Sequence, residues 1–284
     1  MFDLDPYLEN RKAVVEAALF KCLPSADECP AQLSEAIAHA VKSGGKRLRP
    51  ILCLAAAEAA GGDRSAAIYP ACAVELLHTY TLVHDDLPCM DNDLLRRGQP
   101  TVHAKYGETL AVLAGDALLT LAFETLAKTP ATKAKTITAL VTELSRASGA
   151  SGVIGGQVED IKFAGDASTE IIHYVFEHKT ADLFRAAMCM GAVSIDAPHQ
   201  IISQISTYAG HLGFAFQIID DILDAEQAES DDKPELSCLD IMSIEDARVW
   251  AAEHTRQAIE ALTDLPGKTE ALEAMSEMML KRIV

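Results

Sequence analysis

Apolar residues along this chain recur at three- and four-residue spacing in segment after segment, and nowhere do β-branched residues alternate with polar ones in a sustained run. That pattern selects helices, because a helix brings residues three and four apart onto one face whereas a strand needs period two. Leu33, Ile37 and Val41 set an early stripe, and Gly44-Gly45 closes it as a C-terminal cap does. Pro50 and Pro70 suit the first turns of the next two helices, ILCLAAAEAA, ended by Gly61-Gly62, and ACAVELLHTYTLVHDD. Further helices are predicted over ETLAVLAGDALLTLAFETLAK, stopped by Thr129-Pro130, and over KAKTITALVTELSRAS up to the glycine-rich GASGVIGGQ. Others start near Gln157 and cover about 169–192 and 199–224. Residues 225–240 read as a polar loop, Ser243 and Asp246 approximate a capping box for EDARVWAAEHTRQAIEALTDL, and a last helix fills the C-terminus. The expected fold is all-α: one large helical bundle of about ten or more helices, with no sheet. No repeat, low-complexity tract or linker marks a second domain, so 1–284 reads as one.

A chain of 284 residues that is 49% hydrophobic buries a sizeable core. No stretch approaches the roughly 18 uncharged apolar residues of a membrane span. The start MFDLDPYLENRK lacks the basic-then-apolar order of a signal peptide. The expectation is a soluble, cytoplasmic protein without stable membrane insertion. Seven cysteines form no CxxC pair, which reads as buried free thiols in a reducing compartment. A net charge of -18 argues against nucleic acid or an anionic membrane surface as partner. Any anion bound here must meet a local basic cluster, and two exist: GGKRLRP at 44–50 and LRRG at 95–98.

The second of these follows an acidic run, HDDLPCMDNDLLRRGQ at 84–99, flanked by apolar residues that a solvated turn would not need. A further acidic run, Asp220-Asp221-Ile222-Leu223-Asp224, lies inside the apolar FAFQIIDDILD. On a helix Asp220, Asp221 and Asp224 fall at about 0°, 100° and 40°, so the three carboxylates share a face. Like charges packed there call for a cation, and hard oxygen donors suit Mg²⁺, which shares its shell with water and substrate phosphate. Asp85, Asp86 and Asp91 fall at about 0°, 100° and 240° and cannot converge on a regular helix. Pro88 opposes an unbroken helix, so a bulge over Leu87–Met90 is predicted to bring Asp91 back toward Asp85. Arginines grip phosphate oxygens bidentately, and together with Mg²⁺ they describe a polyphosphate site.

These stretches resemble the short-chain trans-isoprenyl diphosphate synthases, of the bacterial farnesyl/geranylgeranyl type, over nearly the whole chain. The matching segments are GGKRLRP (44–50), ELLHTYTLVHDDLPCMDNDLLRRGQPTVHAKYGE (75–108), LAGDALL (113–119), GGQVEDI (155–161), HKTADLF (178–184) and FQIIDDILD (216–224). The resemblance implies a helical bundle around a central substrate cavity, working as a homodimer. It also implies a prenyltransferase that joins isopentenyl diphosphate head-to-tail to an allylic diphosphate, dimethylallyl or geranyl, with release of pyrophosphate. Carried over residue by residue, Asp85, Asp86 and Asp91 bind Mg²⁺ on one side of the allylic diphosphate, and Asp220, with Asp221 and Asp224 through water or directly, binds it on the other. Arg96 and Lys179 hold the allylic diphosphate, and Lys46, Arg49, His78 and Arg97 hold isopentenyl diphosphate, while the role of Arg47 is open. Thr180 and Gln217 place oxygen dipoles near the developing cation, and Gln157 and Asp160 line the cavity. Asp116 reads as a buried, hydrogen-bonded carboxylate. Tyr80, one turn and a half before Asp85, is expected to floor the pocket and stop the chain at fifteen carbons, farnesyl diphosphate. The alternative product is geranylgeranyl diphosphate.

The loop AEQAESDDKPELSCLDIMS departs from the family by being shorter, with Lys233 its only base. That keeps open a catalytically weak regulatory subunit of a prenyl diphosphate synthase. A His-Asp metal phosphohydrolase using His84-Asp85 and His78 is a further alternative, though it needs neither DDILD nor the arginines.

Overall fold

The computed structural model describes residues 2–130, 133–163, 165, 167–227 and 236–283. Thirteen α-helices make up nearly all the regular structure among them. They are α1 (Leu4–Cys22), α2 (Ala31–Lys42), α3 (Leu48–Ala59), α4 (Ile68–Asp85), α5 (Val102–Tyr106), α6 (Glu108–Ala127), α7 (Ala134–Ser148), α8 (Val153–Ile161), α9 (Thr169–Val175), α10 (Asp182–Ser194), α11 (His199–Gln227), α12 (Ile244–Ala261) and α13 (Glu270–Leu280). Pro50 and Pro70 both sit in first turns, where the missing N–H is harmless. Ser243 caps α12 by accepting from the Asp246 N–H at 3.1 Å.

Two apolar clusters form the core. One gathers α11, α12 and α13 around residues such as Tyr208, Leu212 and Met275; the other gathers α1, α2, α4, α6 and α7 around Leu19, Ile37, Leu76 and Leu118. Helices α3 and α10 run between them and belong to both. Ile51, Leu52 and Ala55 of α3 face the first cluster and Cys53, Leu54 and Ala57 the second, just as Phe184 and Met188 of α10 oppose Leu183, Ala187 and Met190. A helix buried all round is the signature of such a central layer, and each fully buried large side chain stabilises it by about 1.5–3 kcal/mol. Tyr208 keeps its polar end satisfied at that depth by donating to the Leu272 carbonyl at 3.0 Å.

The structure corrects several local expectations. A two-stranded hairpin, β1 (Leu95–Arg96) with β2 (Gln99–Pro100), appears where no sheet was expected. Its turn residues Arg97 and Gly98 have φ of 53° and 73°, the pair of positive angles that matches strand twist in a two-residue turn. Helix α8 starts four residues before Gln157, and α11 continues past Asp224 to Gln227. The predicted helix over 169–192 is interrupted by a π turn at Phe176–Ala181. By length and composition Arg64–Asp85 and Glu108–Ala127 are both apolar enough to cross a membrane, although each carries charged residues; 67% of the first window and 39% of the second are buried inside the bundle. All seven cysteines are free, but only Cys53, Cys72, Cys189 and Cys238 are buried, and Cys89 is exposed. Lys233 lies outside the described residues.

Candidate active site

Helix α4 ends at Asp85, and the chain folds back there instead of bulging within a longer helix. Met90 N–H donates to the Leu87 carbonyl at 2.8 Å, and Asp91 N–H to the Asp85 carbonyl at 2.9 Å. Pro88 lies inside that turn, and Asp91 returns to Asp85 as expected. From α8, Gln157 Nε2 donates to Asp85 Oδ1 at 3.1 Å, and Asp160 accepts from Lys179 at 2.5 Å. Burial raises the Asp85 carboxyl to about 7, with Lys179 opposing the rise and Asp91 adding to it. Burial presses the Lys179 ammonium down, but Asp160, Asp85 and Asp91 more than offset it and hold the charge in place. The π turn carries this lysine: its extra residue per turn presents Lys179 to the acidic wall while Thr180 Oγ1 donates to Gln217 Oε1 at 2.7 Å. Gly156 of α8 makes the approach possible, since a Cβ there would meet the Lys179 backbone nitrogen at 2.3 Å.

Two of the predicted ligands are held by protein partners. Asp86 is buried, and its Oδ1 accepts from Arg96 Nε at 2.6 Å, on the side of the helix facing Glu75 and the hairpin. That matches its angle of about 100° from Asp85. Asp221 is also buried and fully engaged, accepting from Gln217 Nε2 (2.9 Å), Ser237 Oγ (3.0 Å) and Cys238 N–H (2.7 Å). It clasps the chain that follows the loop, which leaves Asp220 and Asp224 as the more open carboxylates of DDILD. Asp220 accepts from Arg282 Nη1 at 3.0 Å, a residue the sequence reading missed. The only linear signal is a basic pair just after the last apolar helix. Burial raises the Asp220 carboxyl, while Arg282 and Lys46 oppose the rise and Asp224 adds to it.

The basic residues gather beside these walls. Arg49 Nη1 faces His78 Nε2 at 3.3 Å, its guanidinium lies 4.8 Å over the Phe184 ring, and its buried Nε has no hydrogen-bond partner. Burial lowers His78 well below its usual range, and Arg49 and Arg97 push it further, so the ring is neutral and its Nε2 accepts from Arg49. Arg97 donates to the Gly44 carbonyl, and its guanidinium packs so tightly on Gly45 that a Cβ there would lie 2.4 Å from Nη1. With φ of 124°, Gly45 has two reasons to lack a side chain.

One further expectation fails. Asp116 is exposed on α6, not buried. His84 is no partner for Asp85: its Nε2 lies 3.1 Å from the Val112 carbonyl and its ring fills the space over Gly115. Tyr80 is only 6% exposed and meets the His84 ring edge-on at 5.4 Å.

Among the described residues no three His, Cys, Asp or Glu side chains converge to hold a metal by themselves. The donors are instead two carboxylate pairs, Asp85 with Asp91 and Asp220 with Asp224, a set that fits a hard cation whose remaining ligands are phosphate and water. The orphaned Arg49 Nε and the nearby guanidinium groups fit the phosphate.

Fold and site together define an all-α protein of the isoprenoid synthase type. A family model described as polyprenyl synthetase matches residues 30–246. A geranylgeranyl diphosphate synthase of Cyanophora paradoxa is 44% identical over 80% of this chain and 76% of its own length. A chloroplastic geranylgeranyl pyrophosphate synthase of Capsicum annuum is 38% identical over 95% of this chain and 76% of its own. Among solved structures, an FPP/GFPP synthase from Zymomonas mobilis superposes with a TM-score of 0.88 at 34% identity, covering 98% of both chains. A geranyltransferase from Legionella pneumophila gives 0.88 at 32% identity over 97% of this chain and 96% of its own. The chain belongs to the polyprenyl synthetase family, as a short-chain trans-prenyl diphosphate synthase.

Proposed function

We propose that this protein is a Mg²⁺-dependent prenyltransferase that condenses isopentenyl diphosphate with dimethylallyl, geranyl and farnesyl diphosphates, and that geranylgeranyl diphosphate is its main product. The observation that carries the reaction class is the placing of two carboxylate pairs around one basic cluster, with Lys46 and Arg49 acting electrostatically on Asp220 and Lys179 on Asp85. Mg²⁺ at Asp85/Asp91 and Asp220/Asp224 would supply Lewis-acid charge to the diphosphate. Lys179 and Arg96 hold the allylic diphosphate as its C–O bond breaks and pyrophosphate leaves with the electron pair. Thr180 and Gln217 turn oxygen dipoles toward the allylic cation. The double bond of isopentenyl diphosphate, held by Lys46, Arg49, His78 and Arg97, attacks that carbon, and a proton passes to the departing pyrophosphate.

The product length rests on the names of the relatives, which are geranylgeranyl synthases. The fifteen-carbon expectation took Tyr80 as a floor, but its ring is nearly buried and engaged with His84 one turn on. Chromatography of the dephosphorylated product tests this: twenty carbons is expected, and fifteen as the main length would restore Tyr80 as the floor. A regulatory subunit would give no product at all.

The two adjacent arginines diverge, Arg96 toward Asp86 and Asp93, Arg97 toward Gly44. Arg96→Ala is expected to raise KM mainly for the allylic substrate and Arg97→Ala mainly for isopentenyl diphosphate, each by about 10–100-fold. Equal losses for both substrates in both variants would show that the two anion sites are not divided this way.

A second copy of the chain is the proposed partner for the apolar outer side of α6, where Val112 and Leu113 are exposed. With free thiols and a net charge of -18, we place the protein in the cytoplasm, away from nucleic acid.

A further inference from the structure

Arg47 stands between two residues assigned to isopentenyl diphosphate, Lys46 and Arg49, yet its own guanidinium is closed to any ligand. It is 3% exposed and spends its donors inside the protein: Nη1 on Glu75 of α4 at 2.7 Å, Nε on Glu16 of α1 at 3.2 Å, and Nη2 on the Val41 carbonyl of α2 at 2.6 Å. Three helices are thus tied to the residue that starts α3. Its backbone takes φ 52°, which is costly for a residue with a side chain and persists only where surroundings enforce it. That angle, following Gly44 and Gly45 at 91° and 124°, sets where the chain leaves Lys46 and enters the turn bearing Arg49.

Glu75 is the other half. It is 3% exposed, and besides pairing with Arg47 it is a negative charge acting on both Arg49 and Arg97. His78 follows it by three residues on α4 and so lies on the same face. One buried carboxylate therefore stands beneath three guanidinium groups that otherwise repel one another.

We propose that Glu75 and Arg47 are a pair of positioning residues that set the affinity for isopentenyl diphosphate without touching it, by fixing the loop of Lys46 and Arg49 and the arginine stacked on that loop. The inference rests on the substrate assignment proposed above. It has a sign that separates it from simple charge balance. Removing the Glu75 charge leaves the anion site more positive, so on Coulomb grounds alone the diphosphate binds more tightly. If the carboxylate positions the cradle, the diphosphate binds more weakly instead.

The test uses the full chain with Glu75→Gln, Arg47→Lys and, as a comparison, Glu16→Gln, which removes the charge of the outer partner only. Steady-state kinetics and calorimetric titration with isopentenyl diphosphate are read for each, alongside thermal unfolding. Glu75→Gln and Arg47→Lys are expected to raise KM and Kd for isopentenyl diphosphate by about tenfold or more, the scale of a small misplacement of binding groups. KM for the allylic substrate should stay within about threefold, and Glu16→Gln should keep both KM values near wild type. An unchanged or tighter Kd in Glu75→Gln overturns the proposal, as does an equal rise in KM for both substrates, which is mere loosening of the fold. Should Glu75→Gln fail to fold, Arg47→Lys, which keeps the charge but loses the fork, decides by the same KM split. Wild-type protein that binds isopentenyl diphosphate without condensing it refutes the proposed reaction, while the Kd values still judge the pair.

Discussion

Asp85→Ala is expected to cut turnover at least about 10²–10³-fold, the scale of removing one preorganised group from the charge that develops in a transition state. Asp220→Ala should do the same from the opposite wall. Metal-free Asp85→Ala should unfold at the same temperature as wild type or higher, because burial already disfavours the Asp85 charge and its neighbour Asp91 adds repulsion. Asp220→Ala should show no such gain, since it frees Arg282. The pH dependence has a definite sign. With the folded-state value raised to about 7, Asp85 contributes stability that is fully present below its ordinary value near 3.8 and is lost as pH rises through 7. The unfolding temperature of the metal-free protein should therefore fall over that window, and fall less in Asp85→Asn. Asp86, Asp91, Asp220, Asp221 and Asp224 shift the same way, so part of the slope remains. Near-normal turnover in either alanine variant would remove the carboxylate pairs from the mechanism.

Gly191→Ala should have a large effect on the fold. Helix α10 presses so closely on α3 that a Cβ at this position would lie 2.1 Å from the Cys53 carbonyl oxygen and 3.3 Å from the Ala56 Cβ. The two helices form the central layer with apolar cores on both sides, so neither has a free direction in which to retreat. Overpacking of this kind costs about 1–3 kcal/mol or more, which for a chain of this size lowers the unfolding temperature by roughly 2–4 °C per kcal/mol. A leucine should prevent soluble folding. Activity should fall as well, because α10 continues directly from the π turn that places Lys179 and Thr180. An unchanged unfolding temperature in the alanine variant, read by calorimetry, would mean that α3 and α10 can part freely.

Much of the site was legible in the linear chain because its chemistry is written in short segments. A carboxylate inside an apolar helix costs free energy unless something neutralises it, so HDDLPCMD and DDILD carry the expectation of a cation. Pro88 announced that Asp91 must fold back, and the hydrogen bond from Asp91 to Asp85 is the result. GGKRLRP and LRRG announced an anion, and Arg97 lying across Gly44-Gly45 shows the two loops meeting. What the linear chain did not show was the protein partners of individual side chains. Asp86 and Asp221 have the right charge in the right motif, yet one is held by Arg96 and the other by Ser237 and Cys238.

The sequence by itself determined a chain built almost wholly of helices, the positions of its main breaks and the set of residues that carry charge into the core, since each follows from periodicity, capping and desolvation within a few residues. Only the tertiary structure decided which carboxylates share a wall, that Arg282 stands against Asp220 from 62 residues away, that a π turn presents Lys179 and Thr180, and that Arg47 serves Glu75. The reason is physical: a side chain's charge and the local backbone are set by neighbours in sequence, whereas its rotamer and partners are set by whichever distant helix closes over it.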